Sequence, residues 1–129
     1  MEQLRKYKIN RKKLIKAFFR LEDSLQQPFT EYMQDSIIQR FEFTFELLWK
    51  TLKYYLEVQW FNEKTPRNVL KKSFEIDIIE DIDLFLDMID VRNQTSHTYD
   101  VILAWEVYLF IKENYVFMWR VIDNLWEEI

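Results

Sequence analysis

The sequence contains no cysteine and no glycine, and it has only two prolines among its 129 residues. Without cysteine, the chain cannot form disulfides, thiolate zinc sites or a cysteine nucleophile. Without glycine, it cannot form the phosphate-binding loop, the dinucleotide fingerprint or the serine-hydrolase elbow, because each needs a positive φ or a close backbone approach. The same shortage disfavours tight hairpins and predicts long helices with few sharp turns.

A long apolar run is also missing. No stretch approaches the ~20 apolar residues that a membrane-spanning helix needs, and the first six residues lack the apolar core of a signal peptide. We therefore expect a cytoplasmic protein without a membrane partner. Hydrophobic residues make up 49% of the chain, which is enough for the core of one domain spanning residues 1–129.

Charge is unevenly distributed along the chain. Residues 1–20 hold eight lysines and arginines and one acid, whereas residues 21–129 hold ten bases and twenty-one acids. Two interpretations remain open for this basic end: it contacts an anionic partner, or it is a solvated helix face.

Apolar residues recur at helical spacing in four long segments and one short segment. Asn10 is positioned to cap a first helix that ends before Gln26-Gln27-Pro28, and a second helix is predicted from about Glu31 to Trp60. The second helix is apolar around most of its girth, which is typical of the central helix of a bundle or of one buried in an oligomer. Its narrow polar side comprises Gln39, Glu42, Glu46, Lys50 and Lys53.

The second half of the chain continues this pattern. Thr65 and Pro66 predict the N-cap and first residue of a short helix to about Phe74, and Asp100 is positioned to cap a last helix to about Trp126. Two apolar surfaces on the last helix indicate an oligomer. The predicted fold is an all-α, up-and-down, mostly antiparallel bundle of four long helices and one short helix. The main stripe of the last helix comprises Ile102, Trp105, Leu109, Val116, Trp119, Ile122 and Trp126.

Residues 75–90 carry seven acids and no base. Asp83, Asp87 and Asp90 share one helical face there. Such a row of carboxylates could bind a divalent metal, or it could form a solvated or partner-facing acidic stripe; we expect the stripe and no metal site.

The segment 90–100 holds the only histidine of the chain, His97, with Arg92 five residues before it. On a continuous helix these two would lie about 140° apart and would not share a face. They converge if the helix ends near Ser96, or if two chains face each other. Arginine can hold a phosphate and histidine can move a proton near neutral pH, so the pair could support metal-independent cleavage of RNA. A surface or hydrogen-bonded histidine is the alternative interpretation.

Tyr99, two residues after His97, also has two interpretations. Its hydroxyl could accept a group from a partner enzyme that supplies the base and the metal. Alternatively, its ring packs at a helix junction.

The segment Arg92-Asn93-Gln94-Thr95-Ser96-His97 resembles the signature of the HEPN superfamily, and Tyr99 completes the longer form typical of HepT-like toxins. The segment 40–50 (RFEFTFELLWK) resembles a second signature, that of the HEPN branch named nucleotidyltransferase substrate-binding proteins. The resemblance covers about residues 10–125 in matching order.

This resemblance implies a homodimeric bundle whose motifs face a shared cleft, and a separate minimal nucleotidyltransferase that uses ATP and Mg²⁺. It implies an RNase toxin of a toxin–antitoxin pair, which is neutralised when the transferase attaches AMP to Tyr99. Arg92 and His97 would be catalytic and Asn93 supporting, with no metal or cofactor in this chain and no DNA partner.

Two further interpretations remain open for the same motif. In the first, the chain is a non-catalytic substrate-binding subunit that presents a nucleotide or an acceptor to the transferase. In the second, it is a structural dimer in which Arg92 and His97 belong to an interfacial hydrogen-bond network. The chain is not itself the transferase, whose signature begins with Gly-Ser, because it has no glycine.

Overall fold

The computed structural model describes residues 1–125, in which all regular secondary structure is helical. The helices are α1 (Glu2–Leu25), α2 (Glu31–Val58), α3 (Pro66–Glu75), α4 (Ile82–Gln94), α5 (Val101–Asn114) and α6 (Val116–Asn124), with a single 3-10 turn, Thr95–His97, after α4. The predicted all-α bundle is confirmed.

The first two helices form an antiparallel pair. Near one end of the pair Tyr7 of α1 contacts Tyr55 of α2, with 5.5 Å between the ring centroids. Further along, Arg40 of α2 donates from Nη1 to the carbonyl oxygen of Arg20 of α1 at 2.7 Å. Because α2 also packs against α3, α4 and α5, it is the central helix, as its apolar girth predicted.

Side-chain caps fix where four helices begin. Thr65 and Asp100 cap α3 and α5 as predicted, and Asp100 Oδ1 accepts from the amides of Ile102 and Leu103. Thr30 and Asp81 cap α2 and α4 in the same way. These caps satisfy amides that would otherwise lack a partner in the first helical turn.

Two helices are followed by a residue with a positive φ, a position at which glycine is the usual residue, although this chain has none. Trp60 after α2 has φ 71° and Asp77 after α3 has φ 66°. In each case the next amide reaches back to the helix, from Phe61 to Leu56 O and from Ile78 to Ser73 O, both at 2.9 Å. These bonds are the Schellman arrangement, so the chain stops both helices despite its lack of glycine.

The prediction that Asn10 caps the first helix is wrong. Helix α1 begins at Glu2, and Asn10 lies inside it and donates from Nδ2 to Lys6 O at 2.8 Å. The helix starts earlier because Leu4 and the fully buried Tyr7 extend its apolar stripe towards the N-terminus.

The predicted last helix is divided. Tyr115 keeps helical backbone angles, but its carbonyl accepts from the Met118 amide at 3.1 Å, a tighter turn that separates α5 from α6. Trp126, the predicted end, lies outside the described residues.

The predicted main stripe of the last helix is mostly not the buried face. Ile102, Trp105 and Val116 are 74%, 45% and 45% exposed. Because α5 is apolar on several sides, its periodicity did not identify the face that packs on α2. The buried residues of α5 and α6 are Ala104, Val107, Tyr108, Ile111, Met118, Val121 and Ile122.

No helix within residues 1–125 is long and apolar enough to span a membrane.

Candidate functional site

Arg92, near the end of α4, reaches across to the central helix. Its Nη2 donates to Glu46 Oε2 of α2, and its Nη1 lies 3.5 Å from Asn93 Oδ1. The side chains of Arg92 and Glu46 are 31% and 30% exposed, so the ion pair is half-buried but still open to solvent. Lys50, one turn further along α2, lies 3.5 Å from the other carboxylate oxygen of Glu46.

These cations keep Glu46 ionised. Burial alone would raise the pKa of Glu46, but its interactions with Trp49 and Arg92 and the charge of Lys50 outweigh that effect. The pKa of the carboxyl group therefore lies below its ordinary value. At neutral pH Glu46 is a fixed negative partner that orients the Arg92 guanidinium.

A second carboxylate of α2 holds the turn that follows α4. The Thr95 hydroxyl lies 2.7 Å from Glu42 Oε2 and 2.6 Å from the carbonyl oxygen of Arg92. Glu42 and Glu46 are one turn apart on the polar side of α2. Together they fix the end of α4 from which the histidine-bearing segment departs.

His97 and Tyr99 lie beyond that anchored end. The 3-10 turn ends at His97, whose carbonyl accepts from the Asp100 amide at 3.2 Å. The His97 and Tyr99 rings meet edge to face with centroids 6.3 Å apart. Tyr99 is 85% exposed and His97 is also exposed, so both side chains are accessible to a substrate or a partner.

The four residues singled out by sequence therefore form two groups. Arg92 and Asn93 contact each other and face α2, whereas His97 and Tyr99 contact each other at the surface. No hydrogen bond or ion pair links Arg92 to His97 in the described part of the chain. Helix α4 stops at Gln94, close to Ser96, so one of the two conditions given above for Arg92 and His97 to converge is met.

Glu42 and Glu46 were assigned by sequence only to the polar side of α2. Two signals marked them: they lie four residues apart on an otherwise apolar central helix, and they fall within the segment 40–50 that resembles a family signature.

Beside Arg92, an open groove runs between α1 and α2. It has a volume of about 610 Å³, and its lining includes Arg20, Arg40, Phe43, Glu46 and Arg92. The size lies in the range of roughly 300–1,000 Å³ that is common for small-ligand sites.

Asp83, Asp87 and Asp90 are exposed, and within residues 1–125 no group of three or more aspartate, glutamate or histidine side chains is arranged to hold a metal ion.

The helical bundle is similar to solved structures. A protein from Thermus thermophilus superposes with a TM-score of 0.79 at 31% identity, covering 85% of this chain and 96% of that one. A Haemophilus influenzae protein superposes with a TM-score of 0.80 at 26% identity, covering 88% and 97%. The latter structure is described as revealing the fold of a substrate binding domain of a nucleotidyltransferase. The class of the fold is thus that of HepT-like helical bundles.

Sequence comparison leads to the same class. Residues 9–126 match the family model for nucleotidyltransferase substrate binding protein like chains. A Haemophilus influenzae protein named "Probable ribonuclease HepT" is 32% identical, with 82% of this chain and 84% of that one covered. The chain belongs to the nucleotidyltransferase substrate-binding protein family, in its HepT-like form.

Proposed function

We propose that this chain is a metal-independent endoribonuclease, the toxin of a pair whose antitoxin is a minimal nucleotidyltransferase. The observation that carries the proposal is the arrangement at the end of α4, where Glu46 holds Arg92 in place and His97 is left exposed. The relative named as a probable ribonuclease supports the same activity.

In the proposed reaction, the Arg92 guanidinium binds the scissile phosphate and stabilises the charge that develops on its oxygens. One histidine accepts the proton of the 2′-hydroxyl, whose oxygen attacks phosphorus. The bond from phosphorus to the 5′-oxygen breaks, and that oxygen takes a proton from a second acid. The products are a cyclic phosphate and a free 5′-hydroxyl.

Acid and base roles need two groups, and each chain has one histidine. A homodimer that brings two copies of His97 to one cleft would supply both. Support for a homodimer comes from the first turn of α5, where Val101 and Ile102 are 81% and 74% exposed and lie beside the half-exposed Trp105. Apolar residues gathered in this way on a surface are typical of interfaces.

Neutralisation would occur at Tyr99. Its exposed Oη attacks the α-phosphorus of ATP held by the transferase, pyrophosphate leaves, and AMP is joined to the phenolic oxygen. The transferase supplies the ATP site, the Mg²⁺ and the base, so this chain contributes only the acceptor.

A second candidate function is a non-catalytic subunit that presents a nucleotide or an acceptor to the transferase. The family description favours it, and so does the use of the Arg92 guanidinium by Glu46 within the chain. Both functions predict a complex with a nucleotidyltransferase, so complex formation does not distinguish them.

Cleavage of RNA by the purified protein does distinguish them. We expect the wild type to cleave and to inhibit growth on expression, and His97→Ala to do neither while keeping its helical content and oligomeric state. An equally toxic His97→Ala variant would show that the catalytic assignment is wrong. Absence of cleavage by the wild type would favour the presenting subunit.

Modification is tested by intact mass after co-expression with a minimal nucleotidyltransferase from the same genome. We expect mass added in steps of one AMP, and its loss in Tyr99→Phe. Tyr32, which is 87% exposed on α2, offers a matched control. Tyr32→Phe should be modified as the wild type is.

A further inference from the structure

Most of the groove between α1 and α2 takes no part in the reaction described above, although Arg92 and Glu46 belong to its lining. Its α1 wall is formed by Ala17 and Arg20, at the end of the basic segment in which residues 1–20 hold eight lysines and arginines and one acid. The groove thus connects the phosphate-binding residue of the proposed active site with one base of that segment.

Two arginines of the groove differ from Arg92 in their partners. Arg20 and Arg40 form no ion pair within residues 1–125, whereas Arg92 pairs with Glu46. Arg40 is half-buried and is oriented by the hydrogen bond from its Nη1 to Arg20 O at 2.7 Å. This bond uses one of the five donors of the guanidinium, so the others can bind an anion in two-point fashion.

The groove also has an exposed aromatic side chain. Phe43 is 59% exposed and follows Arg40 by one turn of α2. It makes no ring contact with another aromatic residue in the part of the chain that the structure describes. An unpaired ring one turn from an anchored guanidinium is the arrangement that proteins use to stack a base while holding the phosphate beside it.

The acids of the groove do not outweigh its bases, because the lining holds three arginines against Glu42 and Glu46. Glu46 is matched by Arg92 and Lys50, and Glu42 keeps its charge beside the Thr95 hydroxyl. The groups that can meet a ligand include the guanidinium groups of Arg20 and Arg40 and the ring of Phe43.

We propose that this groove binds single-stranded RNA next to the cleaved bond, with Arg20 and Arg40 on a phosphate and Phe43 stacked on a base. The inference rests on the proposed ribonuclease function and adds to it a route for the substrate along α1 and α2. It also assigns a role to Arg20, one of the eight bases of residues 1–20.

The test measures binding of a fluorescein-labelled single-stranded RNA 12-mer by anisotropy. Full-length His97→Ala is the parent, so that the RNA stays intact, and Arg20→Ala, Arg40→Ala and Phe43→Ala are each added to it. Exposed residues of the same kind serve as matched controls, Arg67→Ala for the arginines and Tyr32→Ala for the ring. Each titration is repeated at several salt concentrations.

We expect the Arg40 and Phe43 variants to bind about tenfold more weakly than the parent, and the controls to bind like it. The salt dependence should separate the two contacts. Loss of a phosphate contact lowers the slope of log affinity against log salt by about one, whereas loss of a stacked ring leaves the slope unchanged. Arg20→Ala, at an exposed position that folding tolerates, should repeat the slope change of Arg40→Ala.

Equal binding by all three groove variants and the parent would overturn the proposal. So would a change from dimer to monomer in Phe43→Ala by sedimentation, since a second copy would then cover the groove. Failure of the proposed function is distinguishable from both results. A wild type that binds RNA through the groove without cleaving it would refute the proposed ribonuclease function. A wild type that cleaves RNA, with groove variants that bind RNA as the parent does, would refute only this inference.

Discussion

The guanidinium of Arg92 donates to the carboxylate of Glu46, a residue 46 positions earlier in the chain and on a different helix. The pair is open to solvent, and exposed ion pairs contribute about 0–1 kcal/mol to stability. Its consequence is therefore mainly geometric: the arginine of the motif is directed towards the central helix and the groove, rather than into solvent.

Replacement of Glu46 should affect activity more than stability. We expect Glu46→Ala to slow RNA cleavage about tenfold, because the freed guanidinium samples many orientations, and Glu46→Gln to recover part of the rate by accepting a hydrogen bond. The free energy of unfolding should change by less than about 1 kcal/mol in both. Initial cleavage rates and urea denaturation measure the two effects.

Glu80→Ala is the matched control for this experiment, because Glu80 pairs with Arg120 at 3.8 Å with both side chains well exposed. It should leave cleavage unchanged. A Glu46→Ala variant that cleaves faster than the wild type would contradict the positioning role and show that Glu46 restrains Arg92 from binding substrate.

Tyr7 makes stability sensitive to high pH. Burial raises its pKa from 10.0 to about 12, in spite of the charge of Arg11. A folded pKa above the unfolded one means that the stabilisation is fully present below pH 10 and is lost as pH rises towards 12. The free energy of unfolding of the wild type should fall across this window by up to about 2 kcal/mol more than that of Tyr7→Phe.

Tyr32→Phe is the control and should retain the wild-type pH dependence. A Tyr7→Phe variant with that same dependence would refute the assignment of this pH effect to Tyr7.

The Asp100 cap should affect both the stability of the fold and the candidate site, because it fixes the start of α5 directly after Tyr99. Asp100→Ala should lower the free energy of unfolding by about 1 kcal/mol, and Asp100→Asn by less. We also expect slower cleavage by Asp100→Ala, since the segment that carries His97 loses its C-terminal anchor.

Asp81 is the control, because it caps the N-terminus of α4, which is the end of that helix remote from the motif. Asp81→Ala should lose similar stability, as measured by thermal and urea unfolding, without slower cleavage at a temperature where it is folded. Equal slowing in both variants would mean that cleavage follows overall stability rather than the order of the motif segment.

The sequence predicted best those features that local chemistry decides. Thr65 and Asp100 were identified as caps because their side chains act within one turn. The four candidate site residues came from a short motif of fixed spacing, which needs no knowledge of packing, and their roles stay a prediction.

The features that sequence missed depend on contacts between distant segments. Glu46 was assigned only to a polar helix side, because nothing local to α2 indicates that Arg92 will approach it. The face of α5 was misassigned for a related reason. A helix that is apolar on several sides offers more than one way to pack, and tertiary contacts decided between them.

The exposed face of α5 leads to a prediction about assembly. Ile102 is 74% exposed in the first turn of α5, three residues after Tyr99, so an interface there would place two copies of the motif segment close together. Ile102→Glu adds a charge that cannot be buried in such an interface without a large desolvation penalty. We expect the wild type to sediment as a dimer and Ile102→Glu as a monomer with unchanged helical content. The monomer should also lose RNA cleavage, because it has a single histidine to act as both acid and base.

Phe74→Glu is the control, because it places the same charge on an apolar residue of α3 that is 41% exposed. This variant should remain dimeric and active. If Ile102→Glu stays dimeric, the exposed turn serves another partner; if it becomes monomeric but still cleaves RNA, one chain supplies the whole active site.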